Sequence, residues 1–300
     1  MRVLITGATG FLGRKIAARL AASGHTVYGL SRTPVSDPSF SASFLWDPDK
    51  EQFDSRCLAD TDAIVHLAGA GIADKRWTAA RKRELLLSRT TSTTFLARQL
   101  SRHTHHVKSV VAASASGYYG DSGASIVTEQ HPPGSGFLAE TCVAWEAANH
   151  QLAVPGRRLV LLRIGFVIDR SEGALPVMAR PVRWMAGAPY GSGRQFLSWI
   201  DSHDLARLFE FALANDSLSG VYNAVSPEPV TNREFLTAIG RVLHRPVWPF
   251  AVPAFVFRTL LGEQSELVLG GQNVSAEKVL ASGFSFEFPA LDAALKHHLL

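Results

Sequence analysis

Gly7-Ala8-Thr9-Gly10-Phe11-Leu12-Gly13 decides the fold. The stretch follows a short apolar run, Arg2–Thr6, and opens a helical pattern from about Phe11 to Ala22. In that pattern Leu12, Ile16 and Leu20 recur at i, i+4 and i+8, one stripe to lay on a sheet. Strand, glycine turn and helix in that order form a dinucleotide-binding fingerprint. Gly7 permits the tight turn, Gly10 lets the backbone approach a pyrophosphate, and Gly13 lets the helix pack close to the strand. The helix amino terminus, with Phe11 and Leu12 in its first turn, meets the phosphate charge with backbone N–H groups.

Outward from this loop, short β-branched runs alternate with helical patterns. The strand candidates are Arg2–Thr6, Thr26–Ser31, Ser43–Trp46, Ala63–Leu67, Ser109–Ala113 and Leu159–Val167. They are near-continuously apolar, as strands covered on both faces must be. Helices are expected over about 78–102 and 138–152. This is an α/β protein with a Rossmann-type doubly wound parallel sheet. From Ser171 onward Pro176, Pro181, Pro189 and several glycines break the periodicity. The expected division is a nucleotide-binding domain over 1–170, with a returning segment at about 198–228, and a smaller, mostly helical carboxy-terminal lobe on the substrate side over 229–300, with an excursion at about 171–197. Val221–Val225 reads as a returning strand. Thr231 followed by Glu234 is a capping-box pattern that opens a helix to His244.

Composition narrows the class. With 300 residues, 46 % hydrophobic and 19 % charged, the chain can bury a core without disulfides. Two cysteines, Cys57 and Cys142, suit a reduced compartment and cannot make a typical zinc site, so no metal is expected. The net charge of +4 is modest. The densest basic clusters, Lys75-Arg76 and Arg81-Lys82-Arg83, flank Trp77 and either form a solvated helix face or help to hold an anion. No nucleic-acid module is present, and no stretch approaches the ~20 apolar residues of a membrane span. A cytoplasmic protein with a small-molecule substrate, and with neither nucleic acid nor membrane as partner, is expected.

The end of the second strand selects the cofactor. NAD sites place an acidic residue there for the ribose 2′-hydroxyl. This chain has Gly29-Leu30-Ser31-Arg32, a hydroxyl and a guanidinium where a 2′-phosphate would sit. The planar fork of Arg can bond two phosphate oxygens, which favours NADP(H).

Four more motifs carry a resemblance: His66-Leu67-Ala68-Gly69, Ser114-Ala115-Ser116-Gly117-Tyr118-Tyr119-Gly120, Arg163-Ile164-Gly165 and Trp199-Ile200-Asp201-Ser202-His203-Asp204. With them the chain resembles the extended and atypical short-chain dehydrogenase/reductases. Within that superfamily it is similar to the epimerase family proteins of short-chain dehydrogenase family 39U. The marks are Ile72-Ala73-Asp74-Lys75-Arg76-Trp77, the Gly117–Gly120 loop, Gly191-Ser192-Gly193-Arg194-Gln195 and Pro227-Glu228-Pro229-Val230-Thr231-Asn232. The resemblance covers essentially the whole chain. It implies that Ser31 and Arg32 hold the 2′-phosphate and that Leu67 and Ala68 lie against the adenosine side. It further implies that Glu84, Arg89 and Val167 touch the dinucleotide, Val167 near the nicotinamide; for Glu84 and Arg89 the alternative is surface pairing.

The chain also departs from the superfamily. The usual Tyr-x-x-x-Lys dyad, in which Tyr exchanges the substrate proton and Lys lowers its pKa, falls here on Leu138 and Cys142 when anchored on Glu146. Neither can do that work. Ser114 and Tyr118 are the catalytic candidates, with Ser116, Tyr119 and Glu140 behind them. Arg163, Arg194 and Trp199 are candidates to line the substrate, although Arg194 could equally pair with Asp201 or Asp204. The expected function is an NADP(H)-dependent oxidoreductase or epimerase-like enzyme. The alternative is a non-catalytic NADP(H) sensor or binding protein.

Overall fold

Val3, Leu4, Ile5 and Thr6 are wholly buried, which puts the first strand in the middle of a sheet covered on both faces. The computed structural model describes residues 1–300. Its first part runs β1 (Arg2–Thr6), α1 (Phe11–Ala22), β2 (Thr26–Ser31), β3 (Ala42–Asp47), β4 (Gln52–Phe53), β5 (Ala63–His66), α2 (Ala79–Arg102) and β6 (Ser109–Ala115). After β7 (Ile126–Val127) come α3 (Phe137–Asn149), β8 (Arg158–Ile164), β9 (Phe166–Ile168) and α4 (Leu175–Arg183). Next are β10 (Phe196–Leu197), β11 (Trp199–Asp201), α5 (Ser202–Ala214), β12 (Gly220–Ala224), β13 (Val230–Thr231) and α6 (Asn232–Leu243). The last part holds α7 (Ala254–Leu261), α8 (Glu266–Leu269), β14 (Asn273–Val274), α9 (Glu277–Ala281) and α10 (Leu291–Leu299).

The main sheet has the order β12-β8-β6-β5-β1-β2-β3-β4, and only β4 runs antiparallel. From β1 the chain moves outward to β2 and β3, then returns to β5 on the other side. The order therefore reverses between β1 and β5, where open α/β sheets bind ligands. Alternation along β1 sends Val3 and Ile5 to one face and Leu4 to the other. Val3 and Ile5 pack with Ile16, Leu20 and Phe209 of α1 and α5. Leu4 packs with Phe95, Leu96 and Leu100 of α2. The fold is the expected Rossmann-type sheet with a helical carboxy-terminal region.

The single strand expected over Leu159–Val167 is in fact two. At Gly165 the backbone passes so close to Ser198 that a Cβ would lie 2.2 Å from its carbonyl oxygen. The chain turns out of the main sheet there, and β9 pairs with β11. An unbroken apolar run hides such a change of partner. The capping box forms as read, with Thr231 and Glu234 bonding each other's backbone.

A third core joins α4, α6 and α10 around Trp199, Phe235 and Ile239. The carboxy-terminal segment divides its packing. Val274, Val279 and Phe284 join the core of the main sheet, and β14 pairs with β7, while α10 packs on α6.

Candidate functional site

The glycine loop sits at the carboxyl end of β1. Gly7 has φ +68, and a Cβ on Gly13 would lie 2.4 Å from the Gly7 oxygen, so Gly13 is held by packing. Gly10 differs. Its φ of −75 suits any residue, and a Cβ there would meet only the Gly7 oxygen, at 3.2 Å. The space in front of it is open. Gly10 is also the N-cap of α1, with no side-chain cap and no acidic residue in the first turn, so the N–H groups of the first turn face outward without a side-chain partner. This cradle fits a pyrophosphate.

A buried polar chain supports it from below. The Thr93 hydroxyl donates to the Arg89 carbonyl, which leaves its oxygen to accept from His66 Nε2 at 2.9 Å. His66 Nδ1 then accepts from the Thr6 hydroxyl at 2.8 Å. Thr6 Oγ1 in turn accepts the backbone N–H groups of Leu67 and Ala68. The chain ties β1, β5 and α2 together and sets the course of Leu67 and Ala68 beside the glycine loop. Burial drives the His66 pKa down to about 4, so the ring is neutral.

Ser31 is buried at the end of β2 and its hydroxyl donates to the Thr33 carbonyl. Arg32 beside it is exposed and has no carboxylate partner. Glu84 is exposed and pairs with Arg81 at 2.8 Å. The bond from Arg81, with the nearby charges of Lys75 and Arg32, lowers the Glu84 pKa. Glu84 and Arg32 thus lie within electrostatic reach of each other. Arg89 is half-buried beneath Gly69, its guanidinium 5.0 Å from the Trp145 ring. It bonds only the Leu85 carbonyl, and burial lowers its pKa. Val167 is half-buried on β9.

At the dyad positions, Leu138 and Cys142 pack under Gly117 on the turn that holds Tyr118 and Tyr119. Burial, reinforced by the charge of Glu146, pushes the Cys142 thiol up to about 12. It is a neutral thiol.

Beside it lies a closed polar network. Arg163 Nε and Nη2 donate to the two Glu146 carboxylate oxygens, each at 2.8 Å, and Nη1 donates to the Tyr119 hydroxyl at 3.0 Å. The Tyr119 hydroxyl donates to Asn223 at 2.7 Å, and Ser114 donates to Glu146 at 2.6 Å. Burial alone would lower the Arg163 pKa, but the bonds and charge of Glu146 outweigh it and the net shift is upward. Burial raises the pKa of the Tyr119 phenol.

Two of the candidate residues lie inside this network. Ser114, 2 % exposed, is spent on Glu146, and Arg163, 3 % exposed, is a core ion pair with its donors committed. A third candidate, Trp199, is also internal: it is fully buried and its indole N–H bonds the Glu228 carbonyl. Tyr118 is the ring left at the surface of the network. The Arg163 guanidinium carbon lies 3.4 Å from its centre, and Tyr119 meets it edge to face. Its hydroxyl has no protein partner.

Arg194 is exposed and pairs with neither Asp201 nor Asp204. Asp201 bonds His298 at 2.8 Å, and Asp204 bonds Arg207 and the N–H groups of Glu287 and Phe288.

Sequence reasoning singled out Trp77, Lys82 and Glu140 but missed the residues that meet them, Phe137, Glu263 and Glu266. Phe137 meets Trp77 edge to face at 4.9 Å, and Phe137, Glu140, Glu263 and Glu266 line a cavity of about 450 Å³ with Lys82. Gln264 reaches the Ala73 carbonyl, so the carboxy-terminal segment closes on the loop before α2. Burial and the charges of Glu263, Asp121 and Glu140 raise the Glu266 pKa. No spacing rule joins residues about 130 positions apart.

A model of the NAD dependent epimerase/dehydratase family matches residues 3–224, and one described as a domain of unknown function (DUF1731) matches residues 252–298. An epimerase family protein of Mycobacterium bovis is 38 % identical over 98 % of this chain and 96 % of its own length. The human epimerase family protein SDR39U1 is 35 % identical over 99 % of both chains. Its crystal structure with NADPH (isoform 2) superposes with a TM-score of 0.88 at 34 % identity, over 99 % of this chain and 98 % of that one. A UDP-glucuronic acid 4-epimerase from Bacillus cereus, solved with NAD, has a TM-score of 0.77 at 18 % identity over 99 % of this chain and 97 % of its own, a likeness of fold alone.

Proposed function

Because the chain belongs to the NAD dependent epimerase/dehydratase family, we propose that it binds NADPH and acts as an oxidoreductase or epimerase-like enzyme on a small carbonyl or alcohol. The observation that carries the cofactor choice is the exposed, unpaired Arg32 beside Ser31 at the end of β2, where no carboxylate stands. The NADPH in the human relative's structure supports the same choice. Gly7, Gly10, Phe11, Leu12 and Gly13 would surround the pyrophosphate, and Ser31 and Arg32 the 2′-phosphate. Leu67 and Ala68 would flank the adenosine, with Glu84, Arg89 and Val167 along the rest of the dinucleotide. The bound dinucleotide would supply or accept hydride.

The protein's own part would be position and a proton. Tyr118 is the candidate donor, since its hydroxyl is free and it stands at the sheet's carboxyl edge. Arg89, whose charge reaches Cys142 and has no carboxylate partner, would supply the fixed positive charge that the usual lysine provides. Arg194 is the candidate for an anionic substrate group. Two free, buried cysteines suit the reducing cytoplasm.

A second reading, an NADPH-binding protein without turnover, is favoured by one observation: the dyad positions hold Leu138 and a protonated Cys142. Turnover of NADPH with a panel of carbonyl compounds separates the two. The cofactor itself is tested by titrating NADPH and NADH against tryptophan fluorescence. NADPH should bind at least about tenfold more tightly, a difference of about 1.4 kcal/mol. Arg32→Glu should invert the order. Equal affinities would overturn the assignment.

A further inference from the structure

The amphipathic helix α4 buries Leu175, Met178, Ala179 and Val182. Its opposite side carries Val177, 70 % exposed, and leads into Trp184, 77 % exposed, one helical period pair further on. Met185 follows with φ +58 and is 54 % exposed. A second segment is pinned beside it. The Trp248 backbone N–H bonds the Gly187 carbonyl, and the Trp248 indole N–H donates to the Met185 carbonyl at 2.9 Å. Phe250, two residues on, is 77 % exposed, and Arg233 holds the intervening Pro249 carbonyl. Single exposed apolar residues need no explanation, but a contiguous set of protruding rings marks an interaction surface.

Charge identifies the partner. Residues 173–200 and 235–262 contain six arginines and no Asp or Glu, in a chain whose whole net charge is +4. Of these six, only Arg241 has a carboxylate partner, Asp292. Arg180, Arg183 and Arg245 are exposed around the rings and unpaired. A second copy docked symmetrically on this face would set these arginines against their own counterparts. Sequence-specific base readout would need amides or hydroxyls among the rings, and the apolar Val177 and Met185 stand there instead. The Trp248 indole N–H is already satisfied inside the protein, so its ring can leave water without stranding a donor.

We propose that the face formed by Trp184, Met185, Trp248 and Phe250 docks peripherally on an anionic lipid bilayer. The rings enter the headgroup boundary and Arg180, Arg183 and Arg245 meet the lipid phosphates. No helix is long and apolar enough to cross a membrane, so the association is superficial. The expectation that a membrane is no partner rested on the lack of a spanning stretch, which does not bear on surface docking.

Flotation of the full chain with phosphatidylcholine vesicles, with and without phosphatidylglycerol, tests this. Binding should require phosphatidylglycerol and weaken with salt. Arg183→Glu with Arg245→Glu should lower the affinity by at least about twentyfold, since each arginine near an anionic surface contributes roughly a fivefold factor. Trp184→Ser with Phe250→Ser should lower it by about tenfold or more. Both variants should keep the NADPH affinity of the parent, which shows that they fold. No binding to anionic vesicles, or binding that both variants retain, overturns the proposal. So does a concentration-dependent dimer that the serine variant abolishes, or capture of a single-stranded oligonucleotide by the same rings in place of vesicles.

Discussion

Two stretches at the carboxyl edge of one sheet, at the ends of β1 and β6, are built in opposite ways. At the end of β1 the glycine loop presents bare backbone: no side chain caps α1, and the space before Gly10 is open. At the end of β6 the polar groups are closed on one another, with Ser114, Glu146, Arg163, Tyr119 and Asn223 satisfied inside the protein. On the proposed function, nucleotide recognition and proton chemistry would fall to separate parts of this edge. Recognition by backbone N–H groups depends on which residues are small enough to stay out of the way. Chemistry depends on side chains that can be exchanged one at a time, and Leu138 and Cys142 stand where the resemblance would place the usual pair.

The closed region should be the costlier to break. Glu146→Ala leaves the Arg163 guanidinium buried without a counter-charge, and such losses run at about 3–5 kcal/mol. Urea denaturation measures it, and a loss below about 1 kcal/mol would show that the network is not closed. Replacing both partners with apolar residues, Glu146→Leu with Arg163→Met, should recover much of that loss.

The support beneath the loop is acid-sensitive. His66 titrates at about 4 in the folded chain and near 6.5 when unfolded, so folding favours its neutral form. That contribution is fully present above pH 6.5 and is lost as the pH falls toward 4, about 3 kcal/mol in all. Stability measured across that window should slope less in His66→Gln than in the parent. Parallel slopes would mean that His66 can take up a proton in place.

In the open region, Gly10→Val should cost binding and spare the fold, because φ −75 admits valine while the new methyl groups fill the space before α1. NADPH affinity should fall by more than about a hundredfold, roughly 2.7 kcal/mol, with circular dichroism unchanged. Retained binding in the calorimeter would place the nucleotide elsewhere.

The smallest effect sits where the two regions meet. Tyr118→Phe should lower turnover of an identified substrate by roughly 10²-fold and leave NADPH affinity alone. Tyr119→Phe should instead cost stability, since its hydroxyl joins Arg163 to Asn223. Full activity in both variants would pass the proton to another group, Glu140 foremost.

The local part of this molecule was legible because its signals are local. The glycine loop, the strand before it, the stripe on α1 and the Thr231–Glu234 cap each lie within a dozen residues, and steric limits on backbone and side chain act at that range. The same reasoning could not sort Ser114 from Tyr118, or Arg163 from Arg194, because exposure is decided by what arrives from elsewhere in the chain. Glu146 is 17 residues from Arg163, and Asn223 comes from β12 at the sheet's far edge. Gly165 looked like part of one strand because only the approach of Ser198 makes it a turning point.

By itself the sequence determined the glycine-loop half: a β1–α1 turn that needs glycine at Gly7 and Gly13, a guanidinium in place of a carboxylate after β2, and Leu138 and Cys142 where the resemblance would place a Tyr and a Lys. Tertiary structure alone decided which of the remaining polar groups stay free. Burial makes every unpaired charge costly, so Arg163, Glu146 and Ser114 settle on one another in the core. Tyr118, Arg89 and Arg194 end without carboxylate partners for the complementary reason, that the folded chain brings none to them.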